Sequence, residues 1–406
     1  ANSMAGVTQT GGTTLTICTI TGTQPLRVGQ LPNTVRTVNA EFLAEGLQLG
    51  IGNAVGTYTP FNIAVLQSVI GSPGNDVLIF GSTLDFSDFA SGTCNLGDGD
   101  DIVQISYSAD FPFPSPFRNV EEVRVNAMAS GLTVNFNGHT GLTTLTVEED
   151  GTSNTLLLQN VAGTANAFPK LNFRGDNSTG ANQTFDTVTY NAIGNTGSSD
   201  SLTVNVGNRG TAINSGTSTT FVLSVGGAAS TLNGFEMVAI NCADGPCIFS
   251  GIGATTLVTL NVTGSSNVTL GQVDATGSTI LSVTASNVTG NFIATVDEVA
   301  TGANITLGAG NDIVIVGANS FATSTFVSLG AGNDFFVGDT NTASADTISA
   351  GDGVDTIFGG QGVDTIFTGS GSDTVIYDQV SAAHAKNITD FTLGVGGDTL
   401  RFDISA

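Results

Sequence analysis

Short segments in which apolar residues alternate with polar ones, or follow one another, recur along almost the whole chain. They are rich in Thr, Val and Asn and are bounded by Gly, Asn and Ser, which predicts β-strands separated by turns. The last three in the series begin eleven to twelve residues apart, as expected for a solenoid or a stacked sheet. The segments are LTVNF (132–136), TLTVEE (144–149), SLTVNV (201–206), TFVLSV (220–225), TLVTLNV (256–262), NVTLGQV (267–273) and TILSVTA (279–285).

Two segments depart from this pattern. The stretch NAEFLAEGLQ (39–48) has helix-like spacing, and Asn39 is suited to cap its beginning, so we expect a helix there. The stretch PFPSPF (112–117) is expected to be a rigid connector, because its prolines exclude regular strand pairing.

A second period, of nine residues, begins at position 341. Four units follow one another, each with Asp at its sixth place and an aliphatic residue at its eighth: NTASADTIS, AGDGVDTIF, GGQGVDTIF and TGSGSDTVI. This is the GGxGxDxUx pattern of calcium-binding β-rolls. Gly permits the tight turn, Asp supplies a hard carboxylate ligand, and the aliphatic residue points inward from a short strand. The alternative is a Gly/Asp-rich loop array that binds no metal.

Further copies of the unit occur out of phase. LGAGNDIVI (307–315) and LGAGNDFFV (329–337) lie before the run, and GSPGNDVLI (71–79) and LGDGDDIVQ (96–104) lie near the N-terminus. If two units form one coil, Asp residues on the same edge are eighteen positions apart or slightly more. This spacing predicts that Asp312, Asp334, Asp355 and Asp373 line one edge, and that Asp346 and Asp364 line the other.

These units supply the candidate calcium ligands. In the N-terminal pair, ordinary Asn-Asp turns are an open alternative to metal binding. The predicted metal-site residues are Asp312, Asp334, Asp346, Asp355, Asp364, Asp373, Gly310, Gly332, Gly353, Gly362, Gly371, Asp76 and Asp101.

At these residues the chain resembles the RTX (repeat-in-toxin) proteins, which Gram-negative bacteria export by type I secretion. The resemblance implies several bound Ca2+ ions, each between one turn and the turn two units later. Asp364 would then share a site with the turn of Asp346, and Asp373 with that of Asp355. First-position glycines are missing at Ala350 and Thr368, a departure from the RTX pattern that predicts weak or empty sites there.

Other segments are similar to parts of RTX-type surface-layer proteins. LGDGDDIVQISYSAD followed by FRNVEEVRVNA (117–127) is similar to a module of those proteins, and LNGFEMVAINC (232–242) to a second copy. QVDATGSTILSVTASNVTG (272–290) resembles one of their strand elements, and NITDFTLGVGGDTLRFD (387–403) resembles the segment after the repeats. The nonapeptide likeness covers about a quarter of the chain and the surface-layer likeness about half.

The expected fold is therefore all-β. It combines a parallel β-roll or β-solenoid, built on calcium-binding nonapeptide turns, with a further strand-rich region that is either a solenoid or a sandwich. We divide the chain into an N-terminal segment (1–65), a short RTX-like β-roll with its connector (66–130), a Thr/Val/Gly-rich region (131–300) and a C-terminal RTX β-roll with a closing segment (301–406). The first of these falls outside the repeats and is an expected assembly contact.

Composition and charge limit the classes of molecule that the chain is expected to bind. The chain has 406 residues and a formal charge of -25, with 34 acidic residues against nine Lys and Arg. This balance disfavours nucleic acid and favours hard cations. No apolar run approaches the ~20 residues of a membrane span. The start, ANSMAGVTQT, lacks the features of a secretory signal, so we expect a removed leader or another export route.

Cysteines and catalytic motifs add two expectations. Cys242 and Cys247 flank the turn-forming sequence ADGP, which predicts a disulfide and an oxidising compartment. The pairing of Cys18 and Cys94 is left open.

No Gly-x-Ser-x-Gly or His-Glu-x-x-His motif is present, and the acidic clusters 121–122 and 148–150 suit a solvated face or incidental cation contact better than acid–base chemistry. We therefore predict that the chain is not an enzyme.

Three functions remain. The first is a calcium-dependent extracellular protein that assembles with itself into a surface layer or filament at the cell surface, with lipopolysaccharide or another cell-surface glycan as a further partner. The chain has only two lysines, Lys170 and Lys386, to guard open strand edges against pairing. The second function is an RTX adhesin or binding module, and the third is a secreted enzyme.

Overall fold

The computed structural model describes most of the chain. The described residues are 2–4, 15–29, 31, 34–52, 58–59, 67–80, 94–107, 111–112, 117–127, 130–148, 154–163, 167–175, 183–185, 187–193, 199–208, 221–223, 230–242, 245–254, 256–274, 280–317, 324–340, 343–377 and 384–403.

Strands make up the regular structure of these residues, and none of them lies in an α-helix. The expected all-β fold with a parallel β-solenoid is confirmed. The strands are β1 (Asn2–Met4), β2 (Ile17–Gly22), β3 (Leu26–Val28), β4 (Thr37–Leu43), β5 (Leu47–Leu49), β6 (Ile51–Gly52), β7 (Tyr58–Thr59), β8 (Ser68–Ile70), β9 (Val77–Phe80), β10 (Cys94–Asn95), β11 (Ile102–Tyr107), β12 (Phe111–Pro112), β13 (Phe117–Arg118), β14 (Glu122–Ala127), β15 (Leu132–Asn135), β16 (Thr144–Glu148), β17 (Thr155–Ala162), β18 (Lys170–Gly175), β19 (Gln183–Phe185), β20 (Thr187–Ile193), β21 (Ser201–Asn208), β22 (Phe221–Leu223), β23 (Ser230–Asn233), β24 (Met237–Cys242), β25 (Cys247–Phe249), β26 (Gly251–Gly253), β27 (Thr259–Gly264), β28 (Val268–Asp274), β29 (Ile280–Val288), β30 (Phe292–Val296), β31 (Val299–Thr306), β32 (Ile313–Val316), β33 (Thr325–Ala331), β34 (Phe335–Val337), β35 (Thr347–Asp352), β36 (Thr356–Phe358), β37 (Asp364–Phe367), β38 (Thr374–Tyr377), β39 (Lys386–Ile388) and β40 (Thr399–Phe402).

Two compact units divide the chain. The first consists of Ala1–Ser178, Thr184–Gly194 and Asn208–Ala212, and the second of Thr179–Gln183, Asn195–Gly207 and Ile213–Ala406. In the first unit, parallel pairing joins β3, β5, β9, β11, β14, β16 and β18 in one sheet. A second sheet joins β2, β4, β8, β10 and β13, and a third joins β12, β15, β17 and β20. Strands from the segment 1–65 therefore belong to the same parallel sheets as the repeats.

Successive strands of the second unit alternate between two parallel sheets from β27 onward. One sheet runs through β27, β29, β31, β33, β35, β37 and β39. The other runs through β28, β30, β32, β34, β36, β38 and β40. Each turn of the chain thus adds one strand to each sheet. The region of β27–β29 is therefore a solenoid and not a sandwich, the alternative considered for residues 131–300.

The core of each solenoid consists of aliphatic columns, because parallel neighbours in register point to the same side. In the second unit one column contains Ile305, Val327, Ile348 and Ile366, each at most 4% exposed. In the first unit a comparable column contains Leu49, Leu78, Val103, Val123, Leu145 and Leu171, each at most 1% exposed. A long apolar stack of this kind supplies the hydrophobic stabilisation of the fold.

The helix expected at 39–48 is wrong. This stretch contains the last five residues of β4 and the first two of β5, and both strands pair with parallel neighbours. Val38 and Ala40 face the core at a period of two, which suits a strand and not a helix. The Asn39 carboxamide does act locally, but it accepts the Glu41 N–H at 3.0 Å beside a bulge in the β2–β4 pairing.

The proline-rich connector expected at 112–117 differs from expectation at both ends. Pro112, with Phe111 before it, forms the strand β12, which pairs with β15, and Phe117 begins β13, where it pairs with Cys94 of β10. Proline is compatible with an edge strand because no neighbour needs its missing N–H. Residues 113–116 lie outside the described part of the chain.

The cysteines follow from the strand register. Cys242 and Cys247 form a disulfide across the turn between β24 and β25, with their Cα atoms 6.1 Å apart. Cys18 and Cys94 stand in one column of the same sheet but are three strands apart. Three strand spacings correspond to about 14 Å, well beyond the reach of a disulfide. Both are free thiols in this structure.

The core columns generate a stability prediction. Ile357→Ala removes a fully buried side chain between Phe336 and Val375, so we expect a loss of about 2–5 kcal/mol in the free energy of unfolding. The control is Ile315→Ala, on the outward face of the same sheet, where the side chain is 36% exposed. Urea unfolding in calcium measures both variants, and equal losses would contradict the inward-column arrangement.

Candidate metal centre

The predicted first row of aspartates is a hydrogen-bonded ladder. Each aspartate lies in the turn that precedes one of the strands β32, β34, β36 and β38. Its carboxylate accepts the backbone N–H of the residue at the same position one turn earlier. The Asp312 N–H donates to Asp334 Oδ1 at 2.7 Å, and the Asp334 N–H to Asp355 Oδ1 at 2.8 Å. The Asp355 N–H donates to Asp373 Oδ1 at 2.8 Å, and the Asp373 N–H to Asp398 Oδ1 at 3.0 Å. The row is at most 2% exposed from Asp312 to Asp373.

An asparagine ladder runs beside the first row, one position earlier in the chain. Asn267, Asn291 and Asn311 each accept, through Oδ1, the N–H of the asparagine one turn later, at 2.8–2.9 Å. The last step differs in its donor, because Asn333 Oδ1 accepts the Val354 N–H at 2.8 Å. Together the two ladders bond the turns to one another by side chain as well as by strand pairing.

Glycines allow the turns to stack this closely. Gly353 and Gly371 have φ values of +143° and +146°, a conformation that L side chains rarely adopt. A Cβ on either residue would overlap the carbonyl oxygen of the glycine one turn earlier, Gly332 or Gly353. The backbone of each turn therefore lies directly against the carbonyl groups of the preceding one. Carbonyl oxygens are ligands that Ca2+ accepts together with carboxylates.

The second row occupies the opposite edge, as the spacing predicted. The Thr325 N–H donates to Asp346 Oδ1 at 2.7 Å, and the Asp346 N–H to Asp364 Oδ1 at 3.0 Å. The other oxygen of each carboxylate has a donor within the chain. Ser344 Oγ donates to Asp346 Oδ2 at 2.8 Å, and Lys386 Nζ lies 2.6 Å from Asp364 Oδ2.

The N-terminal copies form a shorter ladder. The Leu47 N–H donates to Asp76 Oδ1 at 2.6 Å, and the Asp76 N–H to Asp101 Oδ1 at 2.8 Å. Glu121 continues the row, since its Oε2 accepts the Asp101 N–H at 2.8 Å. Glu236 occupies the same kind of place in the second unit, where it accepts the Asp200 N–H at 2.8 Å. These two glutamates belong to the segments that resemble the surface-layer module, and they extend the carboxylate ladder past the nonapeptides.

One expectation about the acidic clusters is wrong. Glu148 is not part of a solvated face, because it is only 2% exposed and its Oε2 accepts the Gln104 amide at 2.9 Å. Glu122 pairs with Arg124 at 2.8 Å and accepts the Thr146 hydroxyl at 2.7 Å. Residues 149 and 150 lie outside the described part of the chain.

The two rows differ in the second carboxylate oxygen. In the first row, Oδ2 of all four predicted aspartates is buried and has no hydrogen-bond partner within the described chain. Asp101 Oδ2 in the N-terminal ladder is in the same condition, whereas both carboxylates of the second row are satisfied. A buried carboxylate oxygen without a donor is unfavourable unless a cation lies against it. The first row therefore offers carboxylate oxygens that suit a bound cation.

Calcium fits this arrangement. The ligands on offer are the free Oδ2 atoms of Asp312, Asp334, Asp355 and Asp373, together with carbonyl groups of the stacked glycine turns. Within the described residues no three His, Cys, Asp or Glu side chains converge on one point, so a site must draw on backbone oxygens. Oxygen-only coordination of this mixed kind suits Ca2+ and does not suit zinc.

Burial also changes the acidity of the rows. Burial, together with the smaller effect of the neighbouring carboxylates Asp312 and Asp355, raises the pKa of Asp334 to about 7, although the hydrogen bond from the Asp312 N–H opposes the rise. Burial likewise raises the pKa of Asp312, Asp346 and Asp373 to about 6 and that of Asp101 to about 7. The pKa values of Asp76, Asp355 and Asp364 are raised for the same reason. Without a cation, the folded protein holds these carboxyls poorly in their charged form.

Comparison with known protein families agrees with this geometry. Residues 340–375 match the RTX calcium-binding nonapeptide repeat, in four copies. This match supports an RTX-type protein. No curated protein matches the chain, and no solved structure does. RTX repeats bind Ca2+ and are typical of secreted extracellular proteins. The described residues include no helix that is long and apolar enough to cross a membrane.

Several contributors to the carboxylate ladders lie outside the nine-residue period and were not predicted from the sequence. Asp398 ends the first row but lies 25 residues after Asp373, beyond the nine-residue phase. Glu121 was interpreted only as part of an acidic cluster. Lys386 was considered only as one of the two lysines of the chain. It lies 22 residues after Asp364, the same separation as between Asp312 and Asp334, and this spacing could have indicated that it lies one turn after Asp364.

The raised pKa values predict an unusual pH dependence. Four aspartates of the two rows have folded-state pKa values of about 6 or 7, above the ordinary value of about 3.9; they are Asp312, Asp334, Asp346 and Asp373. The calcium-free folded state therefore binds protons more tightly than the unfolded state. Stability without calcium should therefore be fully present below pH ~4 and be lost as the pH rises to about 7. Thermal unfolding followed by circular dichroism in calcium-depleted buffer should show a higher midpoint at pH 5 than at pH 7.5. A midpoint that is equal or lower at pH 5 would contradict this.

A single isosteric change tests the free oxygen of the first row. Asp334→Asn keeps the acceptor for the Asp312 N–H but removes the charge and one calcium ligand. We expect the calcium concentration at half-folding to rise by about tenfold or more, since even an outer-shell partner costs about that much in metal affinity. The same variant should be more stable than the parent without calcium, because a buried unpaired charge is gone.

The matched control is Asp403→Asn, an exposed carboxylate that pairs with Arg401 outside the rows. It should leave both calcium dependence and calcium-free stability unchanged. Equal calcium titrations for the parent and Asp334→Asn would remove Asp334 from the calcium-binding residues.

Proposed function

We propose that the chain is a calcium-dependent extracellular structural protein that assembles with itself into a surface layer or filament. The observation that carries the proposal is the last turn of the second unit. All four residues of β40 are exposed, and no later strand of the described chain lies beside it. An open strand edge of this kind favours pairing with another chain.

The last turn exposes apolar side chains more than the turn before it does. Leu400 is the register partner of Val375 and continues its inward column, yet Leu400 is 41% exposed and Val375 is 0% exposed. Phe402, paired with Tyr377, is 56% exposed. Leu393 and Val395 in the preceding loop are among the most exposed apolar residues of the described chain. These exposed apolar side chains form a surface that suits contact with a second copy.

Charge supplies a switch for such contact. The formal charge of -25 opposes the association of two copies, and bound calcium reduces it. Neither lysine guards the terminal strands, because Lys386 is buried against Asp364 and Lys170 begins β18 in the first unit. An end-to-end contact between different surfaces propagates into a filament or lattice unless its rotation closes a ring. The segment 1–65, which supplies strands to the first unit, remains our candidate for the complementary contact.

Location and chemistry complete the proposal. RTX repeats are typical of secreted extracellular proteins, and we place this chain at the cell surface after type I secretion. We also infer a non-enzymatic role, which is supported by the use of Glu121, Glu122 and Glu148 in contacts within the fold.

An RTX adhesin or other binding module is the alternative function, and one observation favours it. A groove of about 480 Å³ in the first unit is lined in part by Arg27, Glu45, Gln48 and Asn75. Side chains of these types hydrogen-bond sugar hydroxyls, so lipopolysaccharide or another cell-surface glycan is the ligand class that suits the groove. The same contact would serve an assembled layer as its attachment to the cell.

Assembly should respond reversibly to calcium. Light scattering of the full chain should rise when millimolar calcium is added, fall when EGTA removes it and rise again when it is restored. Negative-stain images of the calcium sample should show threads or a lattice. A monomer that persists at millimolar calcium and high protein concentration would contradict self-assembly and favour the binding module.

A pair of variants tests the end of the second unit. Leu400→Lys places a charge on the open terminal strand and should strongly reduce the scattering rise. Leu281→Lys places the same charge on an exposed Leu, 48% accessible, of β29, which has neighbours on both sides. That control should assemble like the parent. Equal assembly of the two variants would remove the last turn from the interface.

A further inference from the structure

Lys386 is an internal cation within the second row. Its side chain is only 2% exposed, although lysine is rarely buried without a partner. Its Nζ lies 2.6 Å from Asp364 Oδ2, 2.6 Å from the Gly360 carbonyl oxygen and 3.2 Å from the Gly362 carbonyl oxygen. All three partners belong to one nonapeptide turn, 359–364, at its second, fourth and sixth positions.

This set of partners has the chemistry of a calcium half-site. One carboxylate and two backbone carbonyls are hard oxygen ligands, the kind that Ca2+ binds in proteins. In the first row, the corresponding carboxylate oxygens of Asp334, Asp355 and Asp373 have no donor within the described chain. In the turn of Asp364 the oxygen is satisfied, and the group that satisfies it carries a positive charge.

The surrounding contacts hold this lysine in place. Lys386 begins β39, where it is the register partner of Asp364 itself. Its carbonyl accepts the Tyr377 hydroxyl at 3.2 Å, and His384 Nδ1 accepts the Gly362 N–H at 3.2 Å. The segment 384–388 is thus bonded to the turn at several points, which distinguishes this contact from a surface ion pair between two mobile side chains.

We propose that the Lys386 ammonium is a tethered cation that takes the place of a calcium ion on the outer side of the Asp364 turn. The second row then ends without a metal ion at this position, whereas the first row depends on calcium along its length. Two consequences follow. The turn 359–364 is held closed at any calcium concentration, and the number of calcium ions bound is one fewer than the number of carboxylate half-sites would allow.

Removal of the ammonium should convert the position into a calcium site. Lys386→Met keeps the length and apolar stem of the side chain but leaves the buried Asp364 carboxylate without a partner. A buried charge that loses its partner destabilises the fold strongly, so the variant should need a replacement cation. This inference concerns metal occupancy alone and holds whether or not the chain assembles.

The experiment compares the full-length parent, Lys386→Met and Lys170→Met, the last being the control at the other lysine. Calcium per chain is counted by equilibrium dialysis with elemental analysis, and thermal midpoints are measured in EGTA and in millimolar calcium. Lys386→Met should bind one more calcium ion per chain than the parent. Its midpoint should be lower than that of the parent in EGTA and should recover in calcium, while Lys170→Met matches the parent throughout.

Two results would overturn the proposal. One is an unchanged calcium count in Lys386→Met, and the other is a variant that fails to fold in calcium as well as in EGTA, because calcium would then not replace the ammonium. The double variant Lys386→Met/Asp364→Asn provides the internal check, since it removes both charges from the site. It should bind no additional calcium and should lose the sensitivity to EGTA that the single variant gains.

Discussion

The structure depends on one repeated interaction, in which the carboxylate of each turn accepts the backbone N–H of the turn before it. Backbone hydrogen bonds already join neighbouring turns, as from the Gly353 N–H to the Ser370 carbonyl at 2.8 Å, and the Asp312–Asp334–Asp355–Asp373 ladder adds a buried side-chain bond at each step. The bond places a negative charge at every step, buried and directly above the next. The same contact that aligns the turns therefore creates repulsion, which a bound cation or protonation of the carboxylates can relieve.

The chain relieves this repulsion in different ways on its two edges. The first row leaves Oδ2 atoms without donors, which gives external calcium control over its stability. The second row is satisfied from within, by the Ser344 hydroxyl and the Lys386 ammonium. The turns of the second row should therefore be stable at low calcium, whereas those of the first row should be stabilised when calcium binds.

Much of this was readable in the sequence. The spacing of the aspartates predicted the edge on which each row lies. Two nine-residue units make one coil of the solenoid, so successive units turn at opposite edges. The residues outside the period were not predictable in this way. Lys386 and Asp398 reach the rows through longer connections, and the helix expected at 39–48 failed because Val38 and Ala40 follow the period of the sheet. The local sequence pattern predicts the repeated turn. Which more distant residue contacts that turn depends on the strand register, which the pattern does not give.

The most direct test of the account is a crystal structure of the full chain in millimolar calcium, with ions located by their anomalous scattering. The account predicts calcium peaks along the first row, each within coordination distance of Oδ2 of consecutive members such as Asp334 and Asp355. Peaks absent from the first row, with those carboxylate oxygens instead satisfied by donors of the chain, would contradict the claim that calcium completes the ladder.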